Sequence, residues 1–424
     1  MSSWKEYKLI DLVSFSQGIQ VPVEEQYKEK LDNMERFIRI VDYTNPNEEP
    51  RYIIKKSNKY WVNENDVVMI RYGWAGKVVN GIKGYIANNM FRIIVEKSDI
   101  LDKEYLYYFL SQRKIYEYLV SCNSSTTMPS IKFSDFNKIN IKLPTLEEQR
   151  YIVSFLKDFD KKIQLNTQIN QTLEQIAQTI FKSWFIDFDP VHAKANALAS
   201  GQTLEQATQA AMAVISGKNT QELHRLQTAN PEQYQQLWEI AEAFPSGVDE
   251  EGVPRGWEER YLKDVCNIVY GKGLPKNKLT EKGFYVFGAN GVIGFYDSYT
   301  YEKPQVLIGC RGTVGQVTLS YPYSFVTNNS LVIEYENSCV SMYYLEKYLS
   351  NINLKEISSG SVQPQITIQN MSKVKILIPN IEILNFYSEK VKEIYDKRLN
   401  HFYENQSLSK VRDLLLPKLL SGEV

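Results

Sequence analysis

Apolar and small residues recur at alternating steps of four and three from Ile152 through Leu156, Phe159, Ile163, Asn166, Asn170, Leu173, Ala177 and Ile180 to Trp184. A seam of that period follows one face of a long helix and is the pattern by which helices pair. Pro144 ends the strand-like stretch before it, and Thr145 with Glu148 makes a capping box. A helix is therefore predicted from about Glu147 to Trp184, a rod of roughly 57 Å at 1.5 Å per residue. The register returns at Tyr387, Val391, Ile394, Arg398, His401, Asn405, Leu408, Arg412, Leu415 and Leu419, with a more polar middle. Asn170 and Asn405 occupy matching seam positions, where a buried asparagine costs stability but fixes register and partner. The rods are expected to pair antiparallel, Ile152, Phe159, Ile163, Asn170, Leu173, Ile180 and Trp184 facing Ile394, Asn405, Leu408, Leu415 and Leu419; the alternative is that each packs only on its own domain.

The second rod is one part of a longer repeat. TTMPSIKFSDFNKINIKLP runs into the first rod and SVQPQITIQNMSKVKILIP into the second, and Pro129/Pro364, Pro144/Pro379 and Asn170/Asn405 keep one spacing of 235 positions (129 to 364). Such constancy across a strand-like stretch and a helix marks duplication of a whole structural unit. Upstream, VVMIRYGWAGKV resembles VLIGCRGTVGQV, setting Gly73 and Gly76 against Gly312 and Gly315. YIANNMFRIIVE resembles FVTNNSLVIEYE, setting Asn88 and Asn89 against Asn328 and Asn329, and Trp4 matches Trp257. Each unit is a β-rich globular part followed by a long helix.

Between the copies lies an Ala- and Gln-rich stretch with helix formers from about Thr203 to Ile215 and Pro231 to Ala243, with Thr203 and Thr220 as N-caps. Its acidic residues outnumber its basic ones, so it would repel phosphate and is expected to meet protein or solvent. A chain of 424 residues with 43% apolar content exceeds one compact core. No apolar run is long enough to cross a bilayer and MSSWKEYKLIDL lacks the order of a signal peptide, so a cytoplasmic protein is expected. Cys122, Cys266, Cys310 and Cys339 are widely spaced without a C-x-x-C, which argues against zinc and disulfides and for reduced thiols.

Catalytic motifs are missing. Gly76-Lys77, Gly217-Lys218 and Gly271-Lys272 are followed by Val, Asn and Gly rather than Ser or Thr, so there is no P-loop, and the chain has no Pro-Pro with which to build an amino-methyltransferase tripeptide. His192, His224 and His401 are isolated, and no metal site is expected; His401 reads as a packed seam residue. Binding remains. The net charge of −1 does not advertise nucleic acid, but the acidic connector masks a modest basic excess in the globular parts. Arg71, Lys77, Lys83, Arg92, Lys132 and Lys138 stand among Tyr72, Trp74 and Tyr85; Lys263, Lys272, Lys276, Lys278, Lys282 and Arg311 stand near Tyr270, Phe284 and Tyr285. Cations beside amides and aromatics are what phosphate anchoring and base-edge contact require, although a solvated face has similar composition.

The IKLPTLEEQ junction, the SWFIDFDP run, the EGVPRGW start of unit two and the terminal LLPKLLSGEV together closely resemble the specificity subunit of Type I restriction-modification enzymes, over essentially the whole chain. The resemblance implies an α+β fold: two β-rich target recognition domains joined by two long antiparallel helices in a pseudo-two-fold arrangement. The expected domains are 1–144 and 255–379 for recognition, 145–186 and 380–424 for the spacer helices, and 187–254 for a helical acidic connector. It further implies a non-catalytic DNA-binding subunit in which each domain reads half of a bipartite double-stranded site while the helices set the gap. Two modification subunits carrying S-adenosylmethionine and restriction subunits using ATP and Mg would be its partners, with no cofactor in this chain. The competing class is a duplicated coiled-coil scaffold that never touches DNA. Two departures stand out: IPNIEILNFYSEK lacks the Glu-Glu-Gln of the first junction, and Arg398, His401 and Arg412 in the second seam suggest that a partner subunit helps the pairing.

If the half-sites differ, positions identical in both units serve the fold or the phosphates and readers are positions that differ. Gly73/Gly312, Gly76/Gly315, Asn89/Asn329, Pro129/Pro364 and Ile131/Ile366 then look structural. The candidate DNA-contacting residues are Arg71, Tyr72, Trp74, Lys77, Thr126, Thr127, Ser130 and Lys132 in the first unit. In the second they are Lys272, Arg311, Thr313, Gln316, Ser361, Gln363 and Gln365.

Overall fold

The computed structural model describes residues 4–45, 48–122, 130–360 and 363–422. They form an α+β fold of two compact units, unit 1 being Met1–Asn166 with Tyr403–Val424 and unit 2 Thr167–Phe402. Unit 1 holds a four-stranded antiparallel sheet in the order Val13–Gln17, Met90–Val95, Val67–Ile70, Val78–Val79. Its counterpart in unit 2 runs Asn267–Tyr270, Ser330–Glu334, Val306–Gly309, Val317–Leu319. The third strand of each is buried along its whole length, hence the unbroken apolar runs VVMI and VLIG. A second sheet in each unit contains one parallel pair, Met34–Ile38 with Gly84–Ile86 and Phe284–Gly288 with Phe325–Val326. A two-stranded ribbon, Lys5–Lys8 with Asn140–Leu143 or Glu258–Tyr261 with Lys375–Ile378, lies where each long helix begins.

The first long helix spans Leu146–Phe185, 40 residues and about 60 Å. Its start is the predicted capping box: the Glu148 N–H donates to Thr145 Oγ1 (3.3 Å) and the Thr145 N–H to Glu148 Oε2 (3.2 Å). The second spans Ile381–Leu419 and starts after Asn380, whose carbonyl accepts from the Leu384 N–H at 3.2 Å. Among the described residues no helix is long and apolar enough to cross a membrane.

The two long helices meet antiparallel within each unit, since low numbers on one face high numbers on the other. In unit 1, Arg412 Nη1 lies 2.5 Å from Asp160 Oδ1, and further along Asn166 Nδ2 donates to Asn405 Oδ1 (2.9 Å) and Glu404 Oε2 (2.7 Å). In unit 2, His401 Nδ1 is 2.8 Å from Asn170 Oδ1, and Phe181 and Trp184 pack on Tyr387. The contacts are counterparts under the repeat: Asn405 Nδ2 donates to the Ile163 carbonyl in unit 1, and Asn170 Nδ2 to the Arg398 carbonyl in unit 2. The most buried asparagine is Asn166, fully enclosed, while Asn170 and Asn405 are half-buried.

The polar seam residues of the second helix, Arg398, His401 and Arg412, find partners on the first. Arg412 pairs with Asp160, whose other oxygen accepts from Tyr108 OH (2.5 Å), and His401 meets Asn170. Arg398 Nη1 sits 2.5 Å from Glu174 Oε2, and the buried Lys347 bonds the same carboxylate. Burial alone would raise the Glu174 pKa, but Lys347 and Arg398 outweigh it and hold the carboxyl below its ordinary value.

The ends of both helices complete the cores. Ala177, Phe181, Trp184 and Phe185 join Trp257, Tyr344 and Tyr387 in unit 2, and Leu416 and Leu420 join Leu9, Phe136 and Leu156 in unit 1, with Trp4 packed beside them. The connector folds as four helices, Asp189–Ala199, Leu204–Ser216, Thr220–Ala229 and Pro231–Ala243. Thr203 caps the second as expected. The expectation for Thr220 is corrected: Asn219 is the cap, its Oδ1 accepting from the Glu222 N–H at 3.0 Å, which leaves Thr220 as the first helical residue. Lys194 is buried rather than part of a charged surface, its Nζ donating to the carbonyls of Ala241 (3.2 Å), Glu242 (3.1 Å) and Phe244 (2.6 Å). A cation there closes the C-terminal end of the last connector helix. Lys194→Met is expected to cost about 2 kcal/mol by stripping those carbonyls of their donor, read as a lowered urea midpoint; an unchanged midpoint would show that the carbonyls find other donors.

Candidate nucleic-acid interface

Within each unit the same loops converge through the same backbone bonds. Residues 17–20, 71–77, 87–89 and 130–131 come together in unit 1, and 270–273, 310–316, 327–329 and 363–366 in unit 2. The Arg71 N–H donates to the Asn89 carbonyl (2.8 Å), as Cys310 does to Asn329 (2.9 Å); the Ile131 N–H donates to the Arg71 carbonyl (2.9 Å), as Ile366 does to Cys310 (3.2 Å). The Gly18 N–H donates to the Met90 carbonyl (3.0 Å), as Gly271 does to Ser330 (3.1 Å). A Cβ at Gly18 or Gly271 would sit 2.2 Å from the carbonyl oxygen of Ala87 or Thr327, so only glycine permits this approach. Gly73 and Gly312 turn at φ of +90° and +80°, consistent with their structural reading.

On this shared frame the side chains differ. In unit 1, Arg71 Nη1 donates to Gln17 Oε1 at 3.4 Å, Tyr72 OH to Asn88 Oδ1 at 3.3 Å, and Asn88 Nδ2 to Gln20 Oε1 at 3.3 Å. Gln17 in turn donates to the Asn88 carbonyl, so three amides from two loops hold one guanidinium and one phenol. In unit 2, Arg311 Nε donates to Gln365 Oε1 at 3.4 Å, while Lys272, Thr313, Gln316 and Gln363 are exposed. Gln316 Nε2 donates to the Val317 carbonyl at 3.1 Å. Ser130 is half-buried and Lys132 exposed, its N–H donating to Asp135 Oδ2 at 2.7 Å. Thr126, Thr127 and Ser361, with Pro129, lie outside the described residues.

Trp74 and Lys77 belong to a different feature. Lys77 Nζ stands 5.3 Å from the centre of the exposed Trp74 ring, and both line a cleft of about 830 Å³ with Tyr116, Lys114, Asp160 and Arg412. Sequence reasoning missed Gln17 and Gln20 and left Asn88 as a mere repeat marker. Gln17 and Gln20 precede the first aligned segment, and only the close approach at Gly18 brings them to the 71–77 loop. The signal was a glycine at the end of each unit's second strand, Gly18 and Gly271.

The sequence profile described as the Type I restriction modification DNA specificity domain matches residues 1–175 and 254–409. The chain is 37% identical over 380 residues to the Type I restriction enzyme HindI specificity subunit of Haemophilus influenzae, spanning 82% of this chain and 83% of that one. It is 25% identical over 372 residues to the MjaIX specificity subunit of Methanocaldococcus jannaschii, spanning 80% and 75%. Among solved structures, the S subunit of a Type I restriction-modification system from M. genitalium shares the fold, with a TM-score of 0.50 at 17% identity over 99% of this chain and 96% of that one.

Proposed function

The chain belongs to the specificity subunits of Type I restriction-modification systems, and from that premise we propose that each unit reads one half of a bipartite double-stranded DNA site through its converging loops. The observation that carries this is a backbone frame repeated in both units whose side chains are not repeated: Arg71, Tyr72 and Gln20 in one unit stand against Cys310, Arg311 and Gly273 in the other. A scaffold that never touches DNA would have no reason to keep the frame and vary what it displays. The backbone fixes the loops, while sequence is selected by what the loops carry.

The paired helices then set the gap between half-sites and recruit two modification subunits, with restriction subunits completing the complex in the cytoplasm. S-adenosylmethionine, and ATP with Mg, belong to those partners, and this chain contributes selection rather than bond-making. With a net charge of −1, tight binding is expected only in the assembled complex. The test is to express the complete system in a host lacking other modification and to map methylated adenine across its genome. One two-part motif with a constant gap, absent when this chain is omitted, is the expected result. Methylation without a motif, or unchanged by the omission, would overturn the reading.

A further inference from the structure

Each unit contains an arginine held by a glutamine, yet the two pairs are built from different positions. In the shared frame Arg71 corresponds to Cys310 and Tyr72 to Arg311, so the arginine moves by one residue between units. The holding glutamine moves too: Gln17 corresponds to Tyr270, and Gln365 to Ser130. A pair inherited with the frame would occupy matching positions, whereas here the same pairing arises twice at non-matching ones. Cys310 shows that the fold does not ask for an arginine at the first position, since that side chain is buried with its thiol against the Asn328 carbonyl at 3.6 Å.

The bonding has a common chemical outcome. In unit 1, Gln17 Oε1 accepts a hydrogen bond from Arg71 Nη1 while Nε is buried; in unit 2, Gln365 Oε1 accepts one from Arg311 Nε. Each arrangement holds the guanidinium through one nitrogen and leaves N–H groups on its two terminal nitrogens for other acceptors. A fixed guanidinium fork matches the O6 and N7 acceptors of guanine, the base edge that arginine recognises best, and holding the plane beforehand lowers the ordering cost of contact.

Resting on the bipartite reading above, we propose that each half-site contains a guanine recognised by one glutamine-held arginine, Arg71 with Gln17 in unit 1 and Arg311 with Gln365 in unit 2. Gln17 and Gln365 are positioning residues, and because the arginines sit one residue apart in the frame, the two guanines occupy different places within their half-sites.

The test is the adenine-methylation map of the complete complex carrying Arg71→Met, Arg311→Met, Gln17→Leu or Gln17→Glu. Arg71→Met is expected to relax one guanine position in one half-site by roughly 5- to 150-fold, leaving the other half-site read as before. Arg311→Met does the reverse. Gln17→Leu relaxes the same position as Arg71→Met but less, and Gln17→Glu, which retains an acceptor for the guanidinium but sets its other oxygen against the Asn88 carbonyl, restores it only in part. The untouched half-site reports in every variant that the chain has folded and assembled. Methylation that falls evenly across all sequences would make these arginines phosphate contacts and overturn the proposal while leaving the bipartite reading intact. Relaxation at a position other than guanine, or loss of both half-sites together, would overturn it as well. A wild-type complex with no bipartite motif would instead remove the reading on which it rests.

Discussion

Trp184→Ala is expected to destabilise unit 2 by about 3 to 5 kcal/mol, the range for emptying a fully buried aromatic site. The ring is 1% exposed and lies edge-on to Phe244 at 5.2 Å, with Tyr387 and Phe185 each at 6.1 Å. It draws the end of the first long helix, the connector at Phe244 and the start of the second long helix into one core, so its loss loosens all three. The matching position in unit 1 is Leu419, which is only half-buried against a largely aliphatic core. Leu419→Ala should therefore cost about 1 to 2 kcal/mol, because less apolar area leaves water in the first place. Urea titration of the full chain followed by circular dichroism separates the two variants. Equal losses would mean that the repeat is energetically symmetric and that the aromatic cluster adds nothing to unit 2.

That asymmetry also marks how far the primary structure could be read. Periodicity and the capping box at Thr145 and Glu148 located the first long helix to within a residue at each end, since both are local features, whereas the second seam began only at Tyr387 and left the first turn of its helix unmarked. The seam could not reveal which asparagine is most buried. Asn170 and Asn405 were visible as repeat partners, whereas Asn166 corresponds to His401, and its enclosure depends on Asn405 and Glu404 from far along the chain. Arg398 and Arg412 looked like faults in an apolar stripe for the same reason: their counter-charges, Glu174 and Asp160, lie on the other helix. At the interface, repetition exposed the frame at Gly73 and Gly312 because identity survives in backbone-determined positions. What the frame displays differs between units, so Gln17 beside Arg71 and Gln365 beside Arg311 became legible only once the fold brought the loops together.

Adding one heptad to each long helix at facing places between the Asn166–Asn405 pair and the Asn170–His401 pair is expected to change the site that is methylated without changing either half of it. Seven residues add about 10.5 Å of helix, close to three base-pair steps at 3.4 Å. They also return the seam almost to its starting face, so the insertion preserves the Asn166–Asn405 pair in unit 1 and the Asn170–His401 pair in unit 2. DNA does not return to phase over the same distance, because three base pairs out of about 10.5 per turn rotate the groove by roughly 100°. The preferred gap should therefore lengthen by about three base pairs while methylation at the best site becomes slower, the DNA or the helix pair having to twist to present both half-sites at once. Genome-wide adenine mapping of the complete system reads both effects. A variant that methylates the original site with the original gap would show that the helices do not set the spacing; one that methylates the longer site at the original rate would show that the recognition loops tolerate the change in phase.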